Sequence, residues 1–458
     1  MRSSFPGLWL GSLVVAVAVT GSGIRLDPMQ AQRQQPLAVA SASAADTDDD
    51  AAPAYRQSLL TLHKALVECP SISGTEGDVG NWLIRYLTQH NYTAIKQPLP
   101  PRADTPPDVG RFNVLAWPGR GGGGDASKND DDDDDDTVVV THPRTLPRLL
   151  VTSHIDVVPP HIPYSSDAPL SEARRSTVLR GRGSVDDKAS VAAQITALEE
   201  LRRAGLAAAG AAADVMLLFV VGEEDSGDGM KAFSRYVQER FAPQGRVEDD
   251  GSDQGGDRGK ASFEAVIFGE PTENKLACGH KGILNCVVTA RGRAGHSGYP
   301  WLGKSANAVL VRGLVAALDT DLGRSARFGN TTLNIGRVEG GVAANVIAAE
   351  ATAATGHEVV RQRLEQALHG VDAEALDLAC GQGYGVVECN CAVDGFDTIT
   401  VNYGTDVANL AGNHTRYLYG PGDILVAHSD HEALTVGDLE TAVEGYKRLI
   451  QHVLGSKA

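Results

Sequence analysis

Short apolar runs in this chain lead repeatedly into histidines or carboxylates. The runs have the length and the aliphatic content of strands that are buried on both faces. They span 148–152, 215–221, 265–268 and 424–427, and they lead to His154 with Asp156, Glu223 with Glu224, Glu270, and His428. Because parallel strands bring their carboxyl ends to one edge of a sheet, these side chains are predicted to meet there.

A helical pattern follows one further acidic segment. Apolar residues at Val191, Ile195 and Leu198 recur at helical spacing after Asp186, which places that aspartate at a helix N-terminus. Similar patterns predict helices near 59–67, 77–90 and 439–453. Strands that alternate with helices predict an α/β fold with a mostly parallel, doubly wound sheet and helices on both faces.

The pattern changes near residue 283. Strands are predicted at 283–291, 331–338, 347–355 and 386–392, and helices at 305–318 and 357–368. This β-α-β-β-α-β order is typical of a small ferredoxin-like α+β unit with its helices on one face. The chain is therefore predicted to hold a catalytic domain at 51–282 and 395–458, interrupted by an inserted domain at 283–394.

The N-terminal pattern indicates secretion. Arg2 precedes an apolar run too short for a membrane span, and small residues follow, so residues 1–22 are predicted to be a signal peptide. An ordinary N-terminal helix is the alternative. Residues 23–50 are predicted to be a disordered leader, and the polar, Gly- and Asp-rich segments 119–147 and 244–260 to be low-complexity surface insertions.

Sequons and cysteines bear on the same prediction. Asn91, Asn330 and Asn413 each begin a glycosylation sequon, as expected of a secreted, extracellular protein. The six cysteines allow one or two disulfides, whose pairing the sequence leaves open. They include no Cys-x-x-Cys pair, which disfavours a thiolate zinc site.

The net charge of −17 disfavours nucleic acid and anionic membranes as partners. Part of that charge lies in the uninterrupted aspartate run 130–136, which is typical of a solvated loop.

The histidines and carboxylates predict a centre with two zinc ions (Zn²⁺) per subunit. Imidazole and carboxylate ligands suit zinc, and a pair of metals needs a shared carboxylate. The predicted bridge is Asp186, with His154 and Glu270 completing one site and Glu224 and His428 the other. Asp156 is predicted to accept the second N–H of His154, and Glu223, which has no metal to bind, to act as general base.

These segments resemble the M20 family of co-catalytic zinc peptidases. The likeness rests on the motifs Ser153–Pro159, Gly181–Lys188, Gly222–Asp225, Gly269–Thr272 and Ala427–His428. The family includes carboxypeptidases, among them carboxypeptidase S and secreted fungal enzymes, as well as aminoacylases. The resemblance implies that the inserted domain is a lid and dimerisation domain.

The resemblance also implies roles for residues outside the metal centre. His296, in a Gly-His-Ser-Gly motif, would stabilise the oxyanion, often from the partner subunit of a homodimer. Asn345 would contact the substrate, and Thr405 and Asp406 fit a loop on the substrate side. In relatives, the strand after this asparagine usually carries an arginine that binds the substrate carboxylate. Residues 348–355 contain no arginine. Arg337 or Arg361 is the candidate replacement, and the strand looks several residues short.

The predicted function is that of a secreted di-zinc hydrolase that cleaves amide bonds through a metal-activated water, as a carboxypeptidase releasing C-terminal amino acids. An aminoacylase or dipeptidase on the same centre is one alternative, so the substrate is a peptide or an N-acyl amino acid. A catalytically silent binding protein is the other.

Overall fold

The computed structural model describes residues 52–102, 105–106, 110–119, 143, 145–206, 214–242, 260–355, 358–381 and 383–455. The predicted signal peptide, the leader, the aspartate run and most of both insertions lie outside these residues.

The described α-helices include the six that apolar periodicity predicts and one, at 228–241, that it does not. They are α1 (Arg56–Glu68), α2 (Gly77–Gln89), α3 (Lys188–Leu201), α4 (Asp228–Phe241), α5 (Ala306–Leu318), α6 (Glu358–Asp372) and α7 (Val436–Gly455). Asp187 is the residue before α3, so Asp186 lies next to the N-terminus of that helix, as predicted. Ser305 caps α5, since its side chain accepts a hydrogen bond from the backbone N–H of Ala308.

The strands form several sheets. They are β1 (Tyr92–Leu99), β2 (Arg111–Pro118), β3 (Leu149–His154), β4 (Ser165–Ser166), β5 (Val178–Arg180), β6 (Val215–Val220), β7 (Ala265–Phe268), β8 (Leu276–His280), β9 (Cys286–Arg291), β10 (Gly295–His296), β11 (Arg324–Ser325), β12 (Gly329–Asn330), β13 (Val338–Gly340), β14 (Val346–Ile347), β15 (Glu350–Thr355), β16 (Leu376–Cys380), β17 (Val387–Glu388), β18 (Thr398–Val401), β19 (Thr415–Leu418) and β20 (Ala433–Thr435).

The largest sheet has the strand order β1-β2-β6-β3-β7-β19-β8-β17, with β18 pairing beside β8. Its central strands β6, β3, β7 and β19 run parallel, and antiparallel strands flank them. Every residue of β6 is buried. Leu217 and Phe219 pack with residues of α1, α3 and α7, whereas Met216 and Leu218 pack with α4. The predicted α/β sheet with helices on both faces is confirmed.

A smaller sheet has the order β13-β15-β9-β16 with antiparallel neighbours. In chain order its elements are β9, α5, β13, β15, α6 and β16, which is the predicted β-α-β-β-α-β succession. Leu310 of α5 and Leu364 of α6 share its apolar core with Val288 of β9. The topology is ferredoxin-like. All six residues of β15 pair with β9, so this strand is not shortened relative to its neighbour.

The predicted strand boundaries of this unit need two corrections. In the predicted strand 331–338, Val338 is the one residue that enters a strand. The fourth strand is β16, where Leu376 and Leu378 face the core, whereas the predicted strand 386–392 supplies the two-residue β17 to the large sheet. β16 has only five residues of alternating apolar and polar character and follows α6 closely, so its sequence pattern is difficult to separate from that of the helix.

The predicted strand 424–427 is wrong. Residues Ile424–Val426 form a 3-10 turn, and the Asp423 side chain accepts a hydrogen bond of 2.9 Å from the backbone N–H of Leu425. Leu425 is 76 % exposed, so this apolar run gains little stability from burial and does not form a strand of the sheet. The strand that pairs with β7 is β19.

Two disulfides join neighbouring segments. Cys286–Cys380 links β9 to β16, and Cys278–Cys391 links β8 to the segment after β17. Cys69 and Cys389 are free. Among the described helices, none has the length and apolar character needed to cross a bilayer.

Candidate metal centre and active site

The carboxyl ends of β3, β6 and β7 lie side by side. His154 is opposite Val220 in the parallel register of β3 and β6, and Thr152 is opposite Phe268 in that of β3 and β7. Glu223 and Glu224 follow β6, and Glu270 follows β7. The register therefore brings three predicted carboxylates to the edge where His154 ends its strand.

Asp186 lies between two imidazoles. Its Oδ1 is 3.0 Å from Nε2 of His154, and its Oδ2 is 3.2 Å from Nε2 of His428. Nε2 of His428 is also 2.9 Å from Oε2 of Glu224. A carboxylate with one oxygen toward each histidine has the arrangement that a bridge between two metals requires.

The six groups form one cluster, defined here as His154, Asp186, Glu223, Glu224, Glu270 and His428. Ligand atoms of His154, Asp186 and Glu224 lie within 4.8 Å of one another, as do those of His154, Glu223 and Glu270. The structure thus brings together the five predicted metal ligands and the predicted base. Which ligand binds which metal stays a prediction.

Burial makes this concentration of charge unfavourable without a cation. It raises the pKa of Glu223 and Glu270 well above their usual range, and that of Glu224 to about 7. Among the described residues, no lysine or arginine forms an ion pair with these carboxylates, and Oε1 of Glu224 has no hydrogen-bond partner. Carboxylate oxygens without a hydrogen-bond partner, together with imidazole nitrogens, are suitable ligands for zinc.

The histidines compensate part of the negative charge. Burial by itself would lower the pKa of His154, but its contacts with the Asp156 and Asp186 carboxylates outweigh burial and raise it well above normal. Contacts with Asp186 and Glu224 raise the pKa of His428 to about 10. A histidine that binds a metal ion must be the neutral imidazole, so metal binding at His154 or His428 would release its proton.

Asp156 connects His154 to the Glu223–Glu224 turn. Its carboxylate accepts hydrogen bonds from Oγ of Ser73 at 2.7 Å and from the backbone N–H groups of Glu223 at 3.1 Å and Glu224 at 3.3 Å. Nδ1 of His154 is 3.0 Å from the Asp156 backbone oxygen and 3.6 Å from Oδ1. Asp156 is thus the predicted partner of the second N–H of His154, but its backbone oxygen is nearer to that N–H than its carboxylate is.

Thr405 and Asp406 line the cavity that holds His154, Glu223 and Glu270. The Thr405 hydroxyl already contacts Nε2 of His280 at 3.1 Å and accepts from the Val407 N–H. Asp406 accepts from Asn409 through Oδ1, and its Oδ2 has no partner among the described residues. Of this predicted pair, Asp406 is the residue with a hydrogen-bonding oxygen to spare.

Comparison with known proteins agrees with this geometry. Residues 150–452 match the model of peptidase family M20/M25/M40. A Sordaria macrospora protein described as containing a peptidase M20 domain is 49 % identical, over 92 % of this chain and 90 % of its own. A Neosartorya fischeri protein named probable carboxypeptidase is 40 % identical, over 97 % of this chain and 98 % of its own.

The chain belongs to peptidase family M20/M25/M40. The fold agrees: the structure of the di-peptidase Dug1p from Saccharomyces cerevisiae aligns with a TM-score of 0.59 at 13 % identity, covering 88 % of this chain and 97 % of that one. The chain is therefore a hydrolase of a metal-dependent peptidase family, and the cluster is the candidate for its metal centre.

The predicted lid residues of this family member, His296 and Asn345, have no hydrogen bond or ion pair to the cluster among the described residues. His296 and Asn345 are exposed on the ribbon of β10 and β14, where the Ser297 N–H donates to the Asn345 carbonyl at 3.1 Å. Their predicted roles remain predictions.

The arginines named as replacements lie elsewhere. Arg337 is exposed and bonds to Glu339, and Arg361 is exposed on α6. Nothing in the described residues joins either one to the cluster, so the group that would hold a substrate carboxylate is not identified by contacts within one chain.

Two residues that hold Asp156 and the cluster in place were absent from the sequence prediction. Ser73 holds the Asp156 carboxylate, and Glu432 holds the backbone of Asp186. Both lie in polar stretches without periodicity, so no pattern marked them. Cys278–Cys391 and Cys286–Cys380 supply the pairing that the sequence left open, and Asn91, Asn330 and Asn413 are all exposed.

Proposed function

We propose that this protein is a secreted di-zinc carboxypeptidase that releases C-terminal amino acids from peptides. The observation that carries the proposal is Asp186 lying between His154 and His428, beside a partly buried Glu223 that the two predicted metal sites do not need as a ligand. The relatives named as carboxypeptidases support the choice of reaction.

The residues present fit two metals. His154, Asp186 and Glu270 would hold one, and His428, Asp186 and Glu224 the other. Zinc in these positions would supply Lewis acidity toward the scissile carbonyl and lower the pKa of water.

Glu223 would move the proton. Burial raises its pKa well above that of an ordinary glutamate, which suits a group that first accepts a proton from water and then donates it to the leaving amine. Its backbone is fixed through Asp156. His296, which is exposed on the smaller unit, would reach the oxyanion from a closed lid or a second copy.

The decisive experiment measures amino-acid release from N-blocked dipeptides and from N-acetyl amino acids, with and without chelator. We expect release from the blocked dipeptides, loss with chelator and recovery with zinc. Glu223→Gln should keep its zinc and lower kcat by about 10²- to 10⁴-fold. Glu200→Gln, on the surface of α3, is the matched control and should behave as wild type. A fully active Glu223→Gln would refute the assigned base.

A second candidate function is aminoacylase activity on the same centre. Both reactions cleave an amide whose nitrogen belongs to an amino acid with a free α-carboxylate, so the same centre could act on either substrate, and 348–355 has no arginine that would mark a preference. Release confined to N-acetyl amino acids would support this candidate. Zinc binding without turnover of either substrate class would instead indicate a silent relative.

Secretion and dimerisation belong to the same proposal. The two disulfides and the exposed sequon asparagines support an oxidising, extracellular location. Val311, Val315 and Leu318 form an exposed apolar stripe along α5, which we assign to a second copy of the chain. A protein whose electrophoretic mobility is unchanged by N-glycan removal after expression in a fungal host would argue against glycosylation.

A further inference from the structure

Glu432 is a buried acid outside the cluster, four residues after His428. It is 2 % exposed. In the small sheet β20-β5-β4, Ala433 pairs with Arg180, which fixes Glu432 beside the loop that leads to Asp186. This residue therefore lies where the segment carrying His428 meets the segment carrying Asp186.

The Glu432 side chain binds the backbone of that loop. Oε1 accepts hydrogen bonds from the N–H of Val185 at 3.0 Å and from the N–H of Asp186 at 3.1 Å. Oε2 accepts from Nη1 of Arg182 at 2.6 Å. The Glu432 backbone oxygen also accepts from the N–H of Gly181 and the hydroxyl of Ser184.

The position of Asp186 depends on these contacts. Its two oxygens must reach His154 and His428 at once, so a displacement of the Asp186 backbone would lengthen at least one of those distances. Hydrogen bonds to a buried backbone restrict such a displacement, because the freed N–H groups would have no other described acceptor.

We propose that Glu432 is a positioning residue, which holds Asp186 at the correct separation from His428 through its bonds to the Val185 and Asp186 N–H groups. The inference rests on the proposed two-metal centre and adds a determinant of metal affinity. Outer contacts of this kind change metal affinity by about 10- to 100-fold when they are lost.

The ion pair with Arg182 is the competing explanation for the burial of Glu432. Buried pairs elsewhere in the chain serve packing without touching a ligand: Glu440 is also 2 % exposed and pairs with Arg56 and Arg175. A comparison of these two glutamates therefore separates the loss of a buried ion pair from the loss of a bond to the Asp186 backbone.

Two conservative variants separate the two roles of Glu432 itself. Glu432→Gln keeps the length of the side chain and an oxygen for the backbone N–H groups, but removes the charge that pairs with Arg182. Glu432→Asp keeps the charge but is one methylene shorter, so it cannot reach the backbone and Arg182 together. Glu440→Asp and Glu440→Gln are the matched controls.

The measurement is zinc affinity and stoichiometry of the full chain by competition with a chromophoric chelator, together with thermal unfolding of the metal-free proteins. We expect Glu432→Asp to lower the affinity for the more weakly bound zinc ion by about tenfold or more. The zinc affinity of Glu432→Gln should be close to that of the wild type. Both Glu440 variants should lower thermal stability and leave zinc affinity unchanged.

Three outcomes would overturn the proposal. They are wild-type zinc affinity in Glu432→Asp, a loss in Glu432→Gln as large as in Glu432→Asp, and an equal loss in Glu440→Asp. No substrate is used, so the result is independent of peptide turnover. A wild-type protein that binds two zinc ions but releases no amino acid would refute the proposed activity and leave this inference standing.

Discussion

At the scale of single residues, Asp156 joins the parts of the site that act on a substrate. One carboxylate orders the backbone of Glu223 and Glu224, while the same residue contacts the imidazole of His154. Burial would raise the pKa of Asp156, but the hydrogen bonds from His154, Ser73 and the turn keep it below the usual value. Asp156 is thus ionised at neutral pH.

Asp156→Asn tests this role. The amide places a donor where the carboxylate accepted, so one N–H or the Ser73 hydroxyl loses its partner. We expect kcat to fall by about 10- to 100-fold while the protein stays folded. Steady-state kinetics on a blocked dipeptide and circular dichroism measure both properties. Asp167→Asn, at an exposed ion pair with Arg180, is the control, and equal kinetics for the two variants would contradict the prediction.

At the scale of elements, α1 is attached to the Asp186 loop through a buried histidine. Nε2 of His63 donates to the Ser184 carbonyl at 2.9 Å, and the part of the chain that the structure describes offers no hydrogen-bond partner to Nδ1. Burial lowers the pKa of His63 from 6.5 to about 4. Protonation would place a positive charge on the buried Nδ1, so the folded form prefers the neutral ring.

This contact predicts a defined acid sensitivity. Between pH 6.5 and 4 the unfolded chain binds a proton at His63 that the folded chain does not, so stability is complete above about pH 6.5 and falls as the pH drops toward 4. From pH 7 to pH 5, we expect the metal-free wild type to lose about 2 kcal/mol more unfolding free energy than His63→Gln. Urea unfolding at both pH values measures this difference, and parallel losses in the two proteins would exclude it.

At the scale of the whole molecule, the exposed stripe on α5 and the exposed His296 suggest one explanation. Val311, Val315 and Leu318 are each more than half exposed, although they repeat at the spacing of a packed helix face. A second copy on this face would bury the stripe, and a dimer could bring His296 to the other subunit's cluster.

Val315→Glu tests the proposed dimer, because a charge at the centre of an apolar interface costs binding energy. We expect wild-type protein to sediment as a dimer and Val315→Glu as a monomer with reduced kcat. Val371→Glu, at an exposed position of α6, is the control and should remain a dimer. A monomeric wild type with full activity would rule out a contribution of the partner.

The metal-site residues were predictable because their signal is local. A fully apolar run such as 215–221 is stable as a buried strand, and the polar groups at its end must lie at the sheet edge whatever the neighbouring strands are. The same reasoning located His154 and Glu270, and the helical spacing after Asp186 placed that residue at a helix N-terminus. His428 was predicted as a ligand although the strand predicted before it is a turn. A histidine directly after an apolar run was enough to mark it as a candidate.

Tertiary structure decided what depends on contacts between distant segments. Apolar content at 424–427 resembles a strand, but an Asp423 cap and solvent exposure favour a turn, and β19 takes the place beside β7. Ser73 and Glu432 act through hydrogen bonds to backbone groups far away in the chain, which no periodicity encodes. Sequence by itself determined the strands that end at His154, Glu223 and Glu270, most of the helices and the ligand types, because hydrophobic spacing and strand ends are local properties. The geometry that holds Asp186 between His154 and His428 was decided by the folded chain, because that geometry requires burial and hydrogen bonds shared between segments.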